Sequence, residues 1–515
     1  MKIVSKKLPF DFTNLKFVGI SAIIGTLTGI VISAFRILIE NGIQYSLNAY
    51  QAVWHNINVL WIIIPVFILI AIVVGLLMKG NPSIRGSGIP QVEAQLAGNL
   101  EMNWFSVLWR KFIAGVLTDG TGVYMGREGP SIQLGGAVGQ GVAYGLNMYG
   151  SKRRLLIATG AAAGLSATFS APLAGTFFVM EGIYRNFQPL IWLSSLTGAI
   201  TANFVSINVF GLQPVLPIFY SHDLQPSSYW QLIPFGIILG VLGYVYNAGL
   251  LDLPLWFAKI KFIPWYFMCI IPIILVIPIG IFFPDTIGGG SKIIMLASTK
   301  SFPLQMLILF LILRMVFGLI SYGAGIPGGF FMPILAVGAL IGAVYGDVST
   351  KLGLVNNGLL NNFLIFGMAG YFTAVSKAPF TSMILITELV GNTHNFMSLA
   401  IVVLVSYLVA DSLGSQPIYQ ALAERLTKVK RYLDSREATD LVKVPVFEFS
   451  PIAHEFVKDV DWPGHSLLIT IKRGNLTIIP QPTTKIHPGD ILIVLVHKNN
   501  FGYIYQQLKD LTTHE

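Results

Sequence analysis

Gly126-Arg127-Glu128-Gly129-Pro130 sets a carboxylate between glycines and directly before a proline, in a chain that is otherwise strongly apolar. Proline suits the first turn of a helix, and the glycines let main-chain N–H groups come close to a bound anion. The segment therefore reads as the start of a glycine-rich helix with an anion site at its mouth. An acid at membrane depth is costly and marks function by default. Glu128 is the candidate gate, a built-in anion that competes with a bound one.

The composition around it is that of a membrane protein. Of 515 residues, 54% are hydrophobic and 11% charged, against roughly 25% charged in an average soluble domain. Apolar runs recur at 17–34, 60–78, 232–245, 267–283 and from 304 onward, which predicts an all-α polytopic bundle in a lipid bilayer. Such a composition argues against a third option, a soluble nucleotide-dependent enzyme. Lys2, Lys6 and Lys7 precede the first apolar run, and further positive charge lies at Lys152-Arg153-Arg154 and across 425–443. The positive-inside rule places these segments, and both termini, in the cytoplasm. The net charge of +9 then reflects topology and not a nucleic-acid partner. The single cysteine, Cys269, excludes an internal disulfide, and no metal site is expected.

Two halves of the membrane region repeat one another. Ala171-Pro172 is followed nine residues later by Glu181, and Ala378-Pro379 is followed nine residues later by Glu388, each pair offset by 207. Pro130, Gly135 and Gly139 match Pro333, Gly338 and Gly342 at an offset of 203. Repeats interrupted by Gly and Pro at matching places predict discontinuous helices, inverted topology and an ion site at the repeat interface. The halves run roughly over 15–211 and 229–430. In this register Phe331 stands to Pro333 as Glu128 stands to Pro130. Gly325-Ile326-Pro327-Gly328-Gly329-Phe330-Phe331-Met332-Pro333 carries no charge and offers main-chain N–H groups at a second helix start. Gly86-Ser87-Gly88-Ile89-Pro90 adds a hydroxyl at a third, where partial positive charge gathers. Three helix ends aimed at one point bind an anion without lysine or arginine, weakly enough to release it.

In this order the segments at 86–90, 126–130 and 328–333 resemble the three signature loops of the CLC chloride channels and chloride/proton exchangers. Gln416-Pro417-Ile418-Tyr419 is similar to the tyrosine-bearing segment that opens the family's last membrane helix. The resemblance implies a chloride site made by the hydroxyls of Ser87 and Tyr419 and the amides of Phe330 and Phe331, with Glu128 as gating glutamate. It also implies a homodimer with one pathway per subunit, in a prokaryotic plasma membrane. The competing readings are a helix cap for Ser87 and an interfacial anchor for Tyr419.

One position departs from the exchanger pattern. After Ala171-Pro172-Leu173-Ala174-Gly175, the family's exchangers usually carry two adjacent glutamates, the second an internal proton acceptor; here Glu181 is followed by Gly182. Adjacent helical residues point about 100° apart, so Glu181 does not simply substitute. The missing acid points to passive, channel-like conduction, with coupled chloride/proton antiport as the alternative. A membrane ligand receptor that has lost transport is a further alternative, opposed by the intact Ser87, Glu128 and Tyr419.

Gly323-x-Gly325-x-x-Gly328 also spells a dinucleotide-binding fingerprint, with Asp347 downstream, but its flanks read as membrane helices where the fingerprint needs a strand. Beyond a linker at 431–442 the character changes. Leu467-Leu468-Ile469-Thr470-Ile471, Leu476-Thr477-Ile478-Ile479 and Ile491-Leu492-Ile493-Val494-Leu495-Val496 alternate with the turn sequences Arg473-Gly474-Asn475 and His487-Pro488-Gly489-Asp490. This predicts a small cytoplasmic α+β domain over 443–515. Its strand and turn sequences resemble the TrkA C-terminal domain, the C-terminal subdomain of regulators of potassium conductance. That resemblance implies dimerisation and a small regulatory ligand such as cyclic di-AMP. Ile478, Ile479 and Pro480 are the candidate apolar wall, with Arg473 and His487 as phosphate partners; the competing reading is core strand and surface charge.

Overall fold

A computed structural model describes residues 13–220, 224–355, 358–434, 439–464, 466–474, 476–497 and 501–513; the basic residues Lys2, Lys6 and Lys7 lie outside them. The chain divides into two compact units, the first ending at Leu426 and the second beginning at Thr427.

The first unit is helical. Its first half comprises α1 (Thr13–His55), α2 (Leu60–Gly80), α3 (Ile89–Leu96), α4 (Trp104–Gly120), α5 (Glu128–Gly145), α6 (Gly150–Phe169), α7 (Pro172–Phe177) and α8 (Pro189–Phe210). The second comprises α9 (Leu232–Phe257), α10 (Ile270–Phe282), α11 (Ser291–Thr299), α12 (Leu304–Gly323), α13 (Phe331–Lys351), α14 (Leu360–Ser376), α15 (Pro379–Val390), α16 (Phe396–Ser412) and α17 (Ile418–Asp434). Among the described residues, seven helical segments are long and apolar enough to cross a membrane. Their outer faces carry exposed apolar side chains such as Trp61 and Ile62, as helices that face lipid do. This is a mostly helical, discontinuous-helix membrane fold.

The repeat is visible in backbone detail. α6 ends at Ser170 with φ 53° and α14 ends at Lys377 with φ 59°, both left-handed although neither is glycine. Each is followed by a non-helical alanine and then a proline that opens the next helix, α7 or α15. Proline disfavours a helical residue before it, so this pair of residues breaks the chain direction in both halves. The matched glycines are packing devices. A Cβ on Gly135 would sit 2.1 Å from the carbonyl oxygen of Gly160 across α5–α6, and one on Gly338 would sit 2.4 Å from that of Gly367 across α13–α14. Small residues allow this backbone approach, which apolar lipid gives no other reason to favour.

The second unit is an antiparallel sheet of β1 (Thr439–Pro445), β2 (Ser466–Arg473), β3 (Leu476–Ile478) and β4 (Ile491–His497), in the order β1-β4-β2-β3. α18 (Phe501–Thr512) packs on it through Ile504 and Leu508, over a core that includes Val442, Val444, Ile471, Leu492 and Val494.

Candidate anion-binding site

Four helix starts build the site: those of α3, α5, α13 and α17. Backbone hydrogen bonds tie the loops before the first three together. Gly126 N–H donates to Gly329 O at 2.6 Å and Gly329 N–H returns to Gly126 O at 2.7 Å, while Gly86 N–H donates to Gly325 O at 3.3 Å. This close seam needs residues without side chains, since a Cβ on Gly129 would lie 2.7 Å from Ser87 O. Lys111, fully buried on α4, adds a clamp: its Nζ donates to Ile84 O at 2.9 Å and Gly86 O at 2.6 Å. The first N–H groups of each helix have no partner within it and face outward from its end.

Ser87, Glu128, Phe330, Phe331 and Tyr419 are all buried. Ser87, one residue before the Gly88 N-cap of α3, accepts at Oγ from Ile89 N–H at 3.2 Å, and its own O–H remains available as a donor. Tyr419 opens α17, and among the described residues its buried Oη has no hydrogen-bond partner. Its ring stacks on Phe330 at 5.2 Å and 14°, and meets Phe178 edge-on at 5.6 Å. Phe331 sits against Phe169, Phe178 and Phe372, the first and last from the C-terminal ends of the matched helices α6 and α14. The result is an aromatic wall that holds the Tyr419 ring, and with it a buried hydroxyl, in place. An unmatched hydroxyl buried among apolar groups is costly, and an anion is the partner that offsets the cost best.

Glu128 is the first residue of α5, and its carboxylate folds back over its own loop, with Oε2 lying 2.1 Å from where a Cβ on Gly126 would be. Oε2 has no side-chain or main-chain hydrogen-bond partner among the described residues, although the main-chain N–H groups of Glu128 and Met332 face the carboxyl group. Arg127 turns away to Glu40, with Nη1 at 2.7 Å from Oε1. The acid thus lies among helix-start dipoles, with the charge of Arg127 also acting on it.

Sequence reasoning passed over several polar groups here. Lys111 and Asp119 are buried on α4, and both carboxylate oxygens of Asp119 lack a partner among the described residues. The rarity of ionisable residues in an apolar helix was the available signal. Glu181, read as a landmark of the repeat and as a residue that does not replace the missing acid, accepts from Phe380 N–H at 3.1 Å and from Thr381 N–H at 2.7 Å. The sequence 323–328 is preceded by α12 and followed by α13, so the dinucleotide fingerprint has no strand before it.

In the second unit the five candidate ligand contacts do not form one free surface. Arg473 is committed to Asp490 through Nε–Oδ1 and Nη2–Oδ2 bonds, both 2.8 Å, and also donates to Lys485 O. Those bonds hold the guanidinium above its ordinary pKa. Burial pushes the Asp490 carboxyl up, but the bonds from Arg473 and from His487 N–H outweigh it and leave its pKa below the usual range. Ile478 packs on the sheet core, Ile479 is 80% exposed, and Pro480 and His487 are partly buried.

Residues 68–411 match the voltage gated chloride channel family and 441–509 match the TrkA-C domain. The chain is 32% identical over 453 residues to an H(+)/Cl(-) exchange transporter, ClcA, of Salmonella gallinarum, covering 85% of this chain and 94% of that protein. It is 33% identical over 430 residues to ClcA of Salmonella schwarzengrund, covering 81% and 89%. The crystal structure of a slow cyanobacterial Cl-/H+ antiporter superposes with TM-score 0.74 at 30% identity, over 80% of this chain and 98% of that one. A CLC-type fluoride/proton antiporter shares the fold, with TM-score 0.64 at 20% identity, over 80% of this chain and 99% of that one.

Proposed function

We propose, for a chain that belongs to the voltage gated chloride channel family and ends in a TrkA-C domain, that it is a chloride/proton exchanger of the cell membrane. The observation that carries the chloride site is the pair of free hydroxyl donors, on Ser87 and Tyr419, set at helix starts beside an acid without an ion pair. Ser87, Tyr419 and the amides of Phe330 and Phe331 hold chloride. Ionised Glu128 competes for the same helix-end potential, and protonated Glu128 gives it up, so one proton and the anion exchange places. Neutral donors keep the hold weak enough for release.

The channel-like reading that followed from Gly182 gives way to exchange. What supports exchange is the set of relatives matched over most of both chains, which are named as exchangers. We further propose a transport domain over 1–430, a linker at 431–442 and a regulatory domain over 443–515, both termini cytoplasmic, in a homodimer of a prokaryotic plasma membrane. The regulatory domain takes a small ligand, with the exposed Ile479 as the first contact to test and cyclic di-AMP as one candidate. Chloride efflux from reconstituted vesicles tests the central reading: it should draw protons inward against their gradient, and efflux with no proton movement would indicate a channel.

A further inference from the structure

If the chain exchanges chloride for protons, protons must reach Glu128 without an acid at position 182, which is glycine. The segment carrying Gly182 is a π-helical turn, Phe178–Ile183, and α3 packs directly against it. α3 carries one acid, Glu93, which is only 8% exposed. Its Oε2 has no hydrogen-bond partner among the described residues, and its Oε1 lies 3.9 Å from Arg185 Nη2, too long for a hydrogen bond. A buried carboxylate so poorly matched is costly as a structural element.

Its surroundings lead both ways. Arg185, whose side chain is 41% exposed, reaches outward and hydrogen-bonds Gln420 on α17. Inward, Glu93 lies within electrostatic reach of Tyr419, as does Glu128. The Phe178 ring, which a Cβ on Gly182 would touch at 3.2 Å, is the same ring that packs edge-on against Tyr419. Gly182 therefore borders the aromatic layer of Phe178 and Tyr419, and Glu93 lies on the helix packed against the Gly182 segment. The charged groups that face Glu93 are Arg185 and Glu424 of α17. α5 meets α3 through the neutral pair Gln95–Gln140, and Arg154 of α6 lies by Gly98, past the far end of α3.

We propose that Glu93 is the internal proton acceptor of this chain, standing in from α3 for the acid absent at Gly182. The inference rests on the exchange reading. A proton from solution beside Arg185 forms an O–H bond on the Glu93 carboxylate and leaves it for water beneath Tyr419, which passes it to the carboxylate of Glu128. Glu93 returns to its ionised form, and no other bond changes.

The test is proton uptake driven by a chloride gradient in vesicles, with chloride flux measured on the same preparation. Wild type should take up protons uphill. Glu93→Gln should keep chloride flux while uphill proton uptake falls by about a hundredfold, the scale of a lost proton-transfer group. Adding Gly182→Glu to Glu93→Gln should restore uptake, and Glu93→Asp should keep it with a displaced pH profile. Full proton uptake in Glu93→Gln overturns the role of Glu93 while leaving exchange intact. Absence of uptake in wild type overturns exchange, and the role of Glu93 with it. Should Glu93→Gln fail to assemble, a pH profile in Glu93→Asp identical to wild type overturns the proposal.

Discussion

Glu181 and Glu388 cap each other's repeats. Glu181 accepts from the main-chain N–H groups of Phe380 and Thr381 at the start of α15, and from Thr381 Oγ1 at 2.6 Å. Glu388, its partner in the repeat, accepts from Leu173 and Ala174 N–H at 3.1 and 2.7 Å at the start of α7. Contact of i with j′ and of i′ with j is the mark of a two-fold relation between halves. It gives Glu181 an occupation that has nothing to do with protons.

Neutralising either carboxylate should therefore cost stability. Charge-assisted hydrogen bonds contribute about 1.5–3 kcal/mol, so Glu181→Gln and Glu388→Gln should each lower the unfolding temperature in detergent. Proton coupling in whatever protein assembles should stay as in wild type. Lost coupling with unchanged stability in Glu181→Gln would mean that Glu181, and not Glu93, handles the proton.

Glu128→Gln keeps the shape of the gate and removes its charge. Chloride flux in this variant should no longer depend on pH, because the titrating carboxyl that competes for the helix ends is gone. Flux as pH-sensitive as in wild type would remove Glu128 from the gate.

Ser87→Ala and Tyr419→Phe each delete one hydroxyl; the second keeps the stack on Phe330. Each should weaken chloride binding by about 1 kcal/mol, or roughly fivefold, since amide donors remain. Calorimetry that finds unaltered affinity in the double variant would place the anion elsewhere.

In the C-terminal unit, the Asp490 carboxyl is fully buried and Arg473 is 37% exposed. Asp490→Asn should destabilise the sheet by about 1–2 kcal/mol at neutral pH, a charge-assisted value reduced for the exposure of Arg473. The Asp490 pKa is lowered on folding, so its contribution is present above the unfolded value of about 3.9 and is lost as pH falls through the folded one. Hydrogen exchange over β2 and β4 in the full-length protein should show wild type and variant differing at pH 7 and converging in acid. Equal protection at pH 7 would contradict the account.

Much of this was legible in the sequence because glycine and proline mark backbone geometry directly. The spacing of Pro130, Gly135 and Gly139 against Pro333, Gly338 and Gly342 reports close helix approach, and Glu128, Ser87 and Tyr419 stand where motifs put them. What stayed hidden depends on partners remote in the chain. Nothing local ties Glu181 to Thr381, 200 residues on, or Lys111 to the carbonyls of Ile84 and Gly86. Glu93 lies four residues beyond Ile89 in a short helix that reads as packing until the π-helical turn beside it is seen. Arg473 looked free because turn sequences do not show which neighbour a guanidinium takes.

The exchange claim itself is tested most directly by imposing a proton gradient on vesicles that hold equal chloride on both sides, at a membrane potential clamped to zero. Chloride should move uphill, sustained for as long as the proton gradient lasts and absent in Glu128→Gln. Chloride that stays level under the proton gradient, yet runs freely down a chloride gradient, would contradict exchange and make this chain a channel.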